Sequence, residues 1–255
     1  DLVPPVGEGV LIDEQDFLTD PAVTVHVQAS DDVAVARMLL QEWVLATVPV
    51  PHWKKVQSTG WVTYKPDYEW TLLKESGTHF VAAWVADAAG NVSRLHPEGL
   101  DFASLLLPDT ALEQGGMVPY AVRYPAGVNV EAVLSPGSGD PDLYVWYVGR
   151  PSAPVAKSTL SGTEIDRVSF TTESTGTYLF VVHGDASVYD LSIQPGGGPS
   201  AALVAQDAGA DAVSAGSKTD ELAGEPLFSL IGPDPLNDTV TPSGPYMIFL
   251  PMTSR

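Results

Sequence analysis

The chain contains no cysteine, which excludes disulfides, thiolate metal sites and a cysteine nucleophile. Basic residues are scarce. Twelve Lys and Arg stand against 32 Asp and Glu, a formal charge of -20 over 255 residues. Phosphate binding needs clustered Lys and Arg, so this balance argues against nucleic acid and against anionic membrane surfaces. The acidity is dispersed, with no block of like charge. No apolar run approaches the length of a membrane span. No signal peptide is visible, and the start at Asp1 is expected to be a processed or trimmed N-terminus, in keeping with export. Catalytic signatures are lacking too: there is no G-x-S-x-G elbow and no H-E-x-x-H. The histidines (His26, His52, His79, His96, His183) are scattered singly, and His26 and His79 fall in strand-like runs on faces expected to be solvated. No nucleophile, base and orienting group come together, so the expectation is a protein that is not an enzyme.

Helix signals are few, while alternation is common and is broken at short intervals by Gly, Pro, Ser and Asp. That is the pattern of an all-β sandwich. After an irregular acidic lead-in, VTVHVQA (23–29) alternates cleanly, with Val23, Val25 and Val27 on one face. VAVARMLLQEWVLA (33–46) is apolar throughout and reads as strand, with a short helix as the alternative. An aromatic-rich stretch follows, then HFVAAWVAD (79–87) with the turn signal AAGN, then DFASLLLPD (101–109). A second set begins near residue 118. VPYAVRY places Tyr120, Val122 and Tyr124 on one face, and VNVEAVL places Val128, Val130, Ala132 and Leu134 on one face. LYVWYV (143–148), IDRVSF (165–170), TYLFVVH (177–183) and VYDLSI (188–193) complete it. From Gln194 the texture changes to a QPGGGPS joint and an Ala/Gly/Pro-rich tail.

Trp61, Tyr64, Trp70-Thr71-Leu72, Gly77, the strand Phe80 to Ala86 and Asp87 to Ser93 ("DAAGNVS") form a recognisable series. With "VTVHVQASDDVAVARM" before it, the region 20–100 resembles bacterial Ig-like modules of secreted and surface proteins. Asp140, Asp142-Leu143-Tyr144-Val145, Gly176-Thr177-Tyr178 and Tyr189-Asp190-Leu191 form a second series. Through them residues 112–195 resemble the bacterial pre-peptidase C-terminal (PPC) domain, a β-sandwich appended to many secreted proteases. The resemblance implies a fold and an extracellular setting, and fold alone does not give function. The expected organisation is an N-terminal arm (1–19), an Ig-like β-sandwich (20–108), a jelly-roll or PPC-like β-sandwich (109–195) and a C-terminal arm (196–255).

Two readings stand for each candidate site. Asp140 and Asp142 lie two apart in a Gly-rich loop and could offer oxygen ligands to Ca²⁺, or they shape the turn through bonds to local N–H groups. Asp31, Asp32, Asp87 and Asn91 pose the same choice. Trp53, Trp61, Tyr64 and Tyr68 could face a carbohydrate, or they pack a core and hairpin. No cofactor other than Ca²⁺ is suggested.

The chain ends GPYMIFLPMTSR, an apolar and β-prone run after a loop-like spacer. Docking Tyr246, Met247, Ile248, Phe249 and Leu250 is favourable only where a groove or open sheet edge waits, because ordering each residue costs about 1–2 kcal/mol. A spacer of about 50 residues reaches roughly 40 Å, enough to fold back or to cross to a neighbour. Val10, Leu11 and Ile12 in the N-terminal arm could play the same part. The leading expectation is a structural subunit of an extracellular bacterial filament or surface assembly, its partners copies of itself joined by β-strand exchange. The alternative is a non-catalytic accessory region of a secreted hydrolase that binds protein or polysaccharide. Electron microscopy with and without residues 244–255 separates the two: the filament reading predicts polymers that vanish on truncation, and monomers in both samples contradict it.

Overall fold

The computed structural model describes residues 2–12, 17–46, 52–93, 100–150 and 152–195. The assembly strand Tyr246–Leu250 and the whole C-terminal arm lie outside the described residues. Every named element is a β-strand, and every named pairing is antiparallel.

The first eight strands are β1 (Val6–Ile12), β2 (Ala22–Ser30), β3 (Val35–Ala46), β4 (His52–Ser58), β5 (Val62–Thr63), β6 (Asp67–Thr71), β7 (Gly77–Asp87) and β8 (Leu100–Leu105). They build two sheets, ordered β1-β2-β6 and β4-β3-β7-β8, with β5 paired to β3. Period-two alternation turns Val23, Val25 and Val27 of β2 toward Met38 and Leu40 of β3 and Val81, Ala83 and Val85 of β7. Val35–Ala46 is strand and not helix, because its β-branched and apolar residues are shared between the two faces of a central strand.

The N-terminal arm is corrected by the structure. Residues 6–12 form β1, paired along β2, and Ile12 and Leu18 are buried in the first core. Val10, Leu11 and Ile12 therefore pair with Val27, His26 and Val25 of their own chain. The register shifts between Gly7 and Gly9, a bulge that breaks the alternation a strand would show in sequence.

The remaining strands are β9 (Thr110–Leu112), β10 (Gly116–Tyr124), β11 (Asn129–Ser138), β12 (Pro141–Tyr147), β13 (Ala156–Ser158), β14 (Asp166–Thr171), β15 (Gly176–Gly184) and β16 (Ser187–Pro195). Their sheets run β10-β15-β12-β13 and β14-β11-β16-β9. The expected inward faces meet in a second core: Tyr120, Val122 and Tyr124 pack with Val130, Ala132, Leu134 and Phe180. Tyr120 and Tyr189 join their hydroxyls at 2.8 Å across this core, from one sheet to the other. Burial pushes the Tyr120 hydroxyl up to about 12 and raises Tyr189 as well, so both stay neutral bonding groups.

The two pairs of sheets meet along β10. Thr78 Oγ1 accepts the Ala121 N–H at 2.9 Å and lies 3.0 Å from the Pro119 carbonyl. Ser104 Oγ donates to the Ala121 carbonyl at 2.8 Å. Arg123 reaches Asp101 at 2.7 Å and lies 4.0 Å over the Phe102 ring. Phe102 packs on both outer aromatic clusters, Trp43–Trp53–Phe80 on one side and Tyr144–Trp146 on the other. Thr78→Val would leave the buried Ala121 N–H without its acceptor. The expected cost is about 1–3 kcal/mol, read as a lower urea midpoint. An unchanged midpoint would mean that this seam does not contribute to stability.

Candidate functional site

Alternation along β3 puts Met38 and Leu40 in the first core and carries Glu42 to the next core-facing position. Along β7 the same rule runs back from Val85, Ala83 and Val81 to His79. The register pairs Glu42 with Val81 and Val44 with His79, so carboxylate and imidazole meet on one face of adjacent strands. Glu42 is 0% exposed and His79 1%. The solvated face expected for His79 is thus corrected: its position continues the apolar row. His26, by contrast, does sit at the surface, with Nδ1 2.7 Å from Asp67.

Every polar atom of the pair is engaged. Glu42 Oε1 accepts the Leu73 N–H at 2.9 Å and lies 2.7 Å from His79 Nδ1. Glu42 Oε2 accepts Trp70 Nε1–H at 2.9 Å and a bond from Gln57 Nε2. His79 Nε2 lies 2.9 Å from the Glu75 carbonyl. A carbonyl and a carboxylate can only accept, so with Glu42 ionised both ring nitrogens carry hydrogen. Burial pushes the Glu42 carboxyl up. The hydrogen bonds from His79 and Gln57, the His79 charge and the Leu73 N–H outweigh this and hold it below its ordinary value of 4.5.

A base oriented by a carboxylate is half of a nucleophile-activating arrangement. Here the outer imidazole nitrogen faces a backbone carbonyl and both side chains are buried. The arrangement positions strands and a loop, and offers no group for proton exchange with a substrate.

The other expected residues do not gather. Asp140 Oδ1 accepts the Gly162 N–H at 2.7 Å, and Asp142 sits buried in β12, in register with His183 of β15. Asp31 accepts the Val33 and Ala34 N–H groups, and Asp87 accepts those of Gly90 and Asn91, which is turn chemistry. Among the described residues no three His, Asp or Glu side chains are placed to hold a metal ion. The aromatic stretch is split between faces. Trp53 is buried edge-on against Phe80 at 4.8 Å, on the outer face of its sheet. Tyr64 and Tyr68 pack on the first core, where the Tyr64 hydroxyl donates to the Val27 carbonyl at 2.9 Å. Only Trp61 of the four is an exposed side chain, at 41%, with Arg37 5.8 Å over its ring.

A cleft of about 590 Å³ opens beside the seam. Lys74, Ser76, Thr78, Leu107, Thr110 and Pro119 are among the residues that line it.

No protein-family model matches this chain, and no curated protein matches it. It is similar to parts of many solved structures, among them three at a TM-score of 0.27. These are the chitinase ChiA74 from Bacillus thuringiensis (13% identity, 75% of this chain, 28% of that one), the alpha-L-rhamnosidase of Streptomyces avermitilis complexed with L-rhamnose (15%, 74% and 23%) and the secreted serine protease VesC from Vibrio cholerae (9%, 73% and 51%). The chain spans from about a quarter to about half of their lengths.

Replacing Glu42 by Gln removes one charge of a buried pair, for an expected cost of about 3–5 kcal/mol. The lowered carboxyl also fixes a pH dependence. Its stabilisation is complete above the ordinary carboxylate range and is lost as pH falls through the lowered value. Urea unfolding from about pH 7 to about pH 3 is expected to show a shallower acid limb in Glu42→Gln than in the parent. Identical limbs would remove Glu42 from the account.

Proposed function

We propose that this chain is a non-catalytic accessory region of a secreted hydrolase, holding protein or polysaccharide in the cleft beside the seam. One observation carries the reading. The acid and base best arranged for chemistry, Glu42 and His79, are buried with every polar atom bonded, and the cleft, whose lining includes His79, adds hydroxyl, amine, carboxylate and apolar residues suited to binding. The Ig-like and PPC-like resemblances of residues 20–100 and 112–195 agree with this role and with an extracellular setting. One of the two donors of the filament reading, Val10–Ile12, pairs with β2 of its own chain. The other donor, Tyr246–Leu250, lies outside the described residues.

Retention tests the proposal. The purified chain is mixed with insoluble chitin, cellulose and immobilised casein, and bound protein and released product are both measured. The expected result is retention by one of these without release of product. Thr110→Trp, which fills the cleft, should weaken retention roughly tenfold, the scale of about 1.4 kcal/mol. Product release abolished by a single substitution, or no retention by any of the three, would overturn the reading.

A further inference from the structure

Residues 72–76 join β6 to β7 and are tied on two sides. On the inner side, Leu73 donates its N–H to Glu42 Oε1 at 2.9 Å, and the Glu75 carbonyl faces His79 Nε2 at 2.9 Å. Leu72 donates to the Pro21 carbonyl at 2.9 Å. On the outer side, Ser76 Oγ accepts the Leu107 N–H at 3.1 Å and lies 2.6 Å from Thr110 Oγ1. The Thr110 hydroxyl donates to the Leu107 carbonyl at 2.8 Å, so the hydrogen between the two hydroxyls comes from Ser76. One short segment therefore links the buried pair to the 106–109 connection and to Thr110 at the start of β9. Gly77 follows at once with φ of 124°, and a Cβ there would stand 3.2 Å from Val118 and 3.4 Å from the Pro119 carbonyl. The segment and the connection both contribute residues to the lining of the cleft.

We propose that residues 72–76 form an acid-released strap: with Glu42 ionised the strap holds the connection and the cleft lining together, and when Glu42 takes up a proton the strap lets go. The groups facing Glu42 are Gln57 from β4, Trp70 from β6, the Leu73 N–H from the strap and His79 from β7. His79 is the titratable one among these. A neutral carboxyl is a weaker acceptor for Leu73 and leaves the imidazole without its counter-charge, so the inner tie loosens first. Because the Glu42 carboxyl is held below its ordinary value, the strap stays closed through the ordinary carboxylate range and opens as pH falls through the lowered value. The inference stands apart from what the cleft binds, since it concerns the lining alone.

The absence of native cysteine makes the test direct. Lys74 and Glu113 are exposed and both line the cleft. Spin labels on Lys74→Cys and Glu113→Cys in the full chain report the distance between the strap and the end of β9. A single short distance is expected at neutral pH. A second, longer population should appear as acidification passes through the lowered Glu42 value, and at neutral pH in Glu42→Gln. Ser76→Ala cuts the outer tie without touching the pair and should lengthen the distance at neutral pH by itself. Val25→Ala, a cavity in the first core, should lower stability and leave the distance unchanged. If Ser76→Ala and the acidified parent both keep the short distance while near-UV circular dichroism stays native, the strap is refuted. Equal lengthening in Val25→Ala refutes it too, because general loosening would then suffice.

Discussion

A carboxylate without water must be surrounded by donors, and the first half of this molecule is arranged around that requirement at Glu42. The side chain sits in an apolar row of β3 and collects hydrogen bonds from β4, β6, the β6–β7 loop and β7. Four segments between Gln57 and His79 thus share one acceptor. Removing any of them leaves a buried charge short of a donor, which costs more than the bond itself contributes. Apolar packing alone would tolerate small slips of β4 or β6 against β3, whereas the carboxylate favours one register.

Polar ties also organise the place where the two cores meet. Thr78, Ser104, Pro119 and Ala121 form short bonds between strand backbones and hydroxyls, and Arg123 combines an ion pair with Asp101 and a stacked contact on Phe102. His79 and Thr78 are neighbours in β7, one facing the first core and the other the second pair of sheets. Alternation along a single strand therefore connects the buried ion pair to the seam. The cleft lies beside both.

Most of the strands were legible as alternation, because one face of each is buried against another sheet. Tyr120, Val122 and Tyr124, or Val130, Ala132 and Leu134, announce their side at sight. β1 was hidden because Gly7-Glu8-Gly9 carries a bulge, and a bulge erases the period that betrays a strand. β9 and β13, each of three residues, are too short to show a period at all. The aromatic stretch was misleading in another way. Trp53 lies on β4, on the outer face of one sheet, whereas Tyr64 and Tyr68 turn toward the first core, so nearness in sequence did not give a common surface. The Glu42–His79 pair did leave a trace: each residue continues a period-two apolar row, Met38-Leu40-Glu42 and Val85-Ala83-Val81-His79. A charged or titratable group in such a row calls for a partner, and the partner stood in the other row.

The central claim is that Glu42 and His79 form a buried ion pair whose hydrogens are all directed to fixed acceptors. Long-range ¹H–¹⁵N correlation of the His79 ring at neutral pH tests it most directly. The account predicts hydrogen on both ring nitrogens, with slow exchange at each. A ring with one bare nitrogen, or with rapid exchange at Nε2, would show an imidazole open to solvent and would contradict the account.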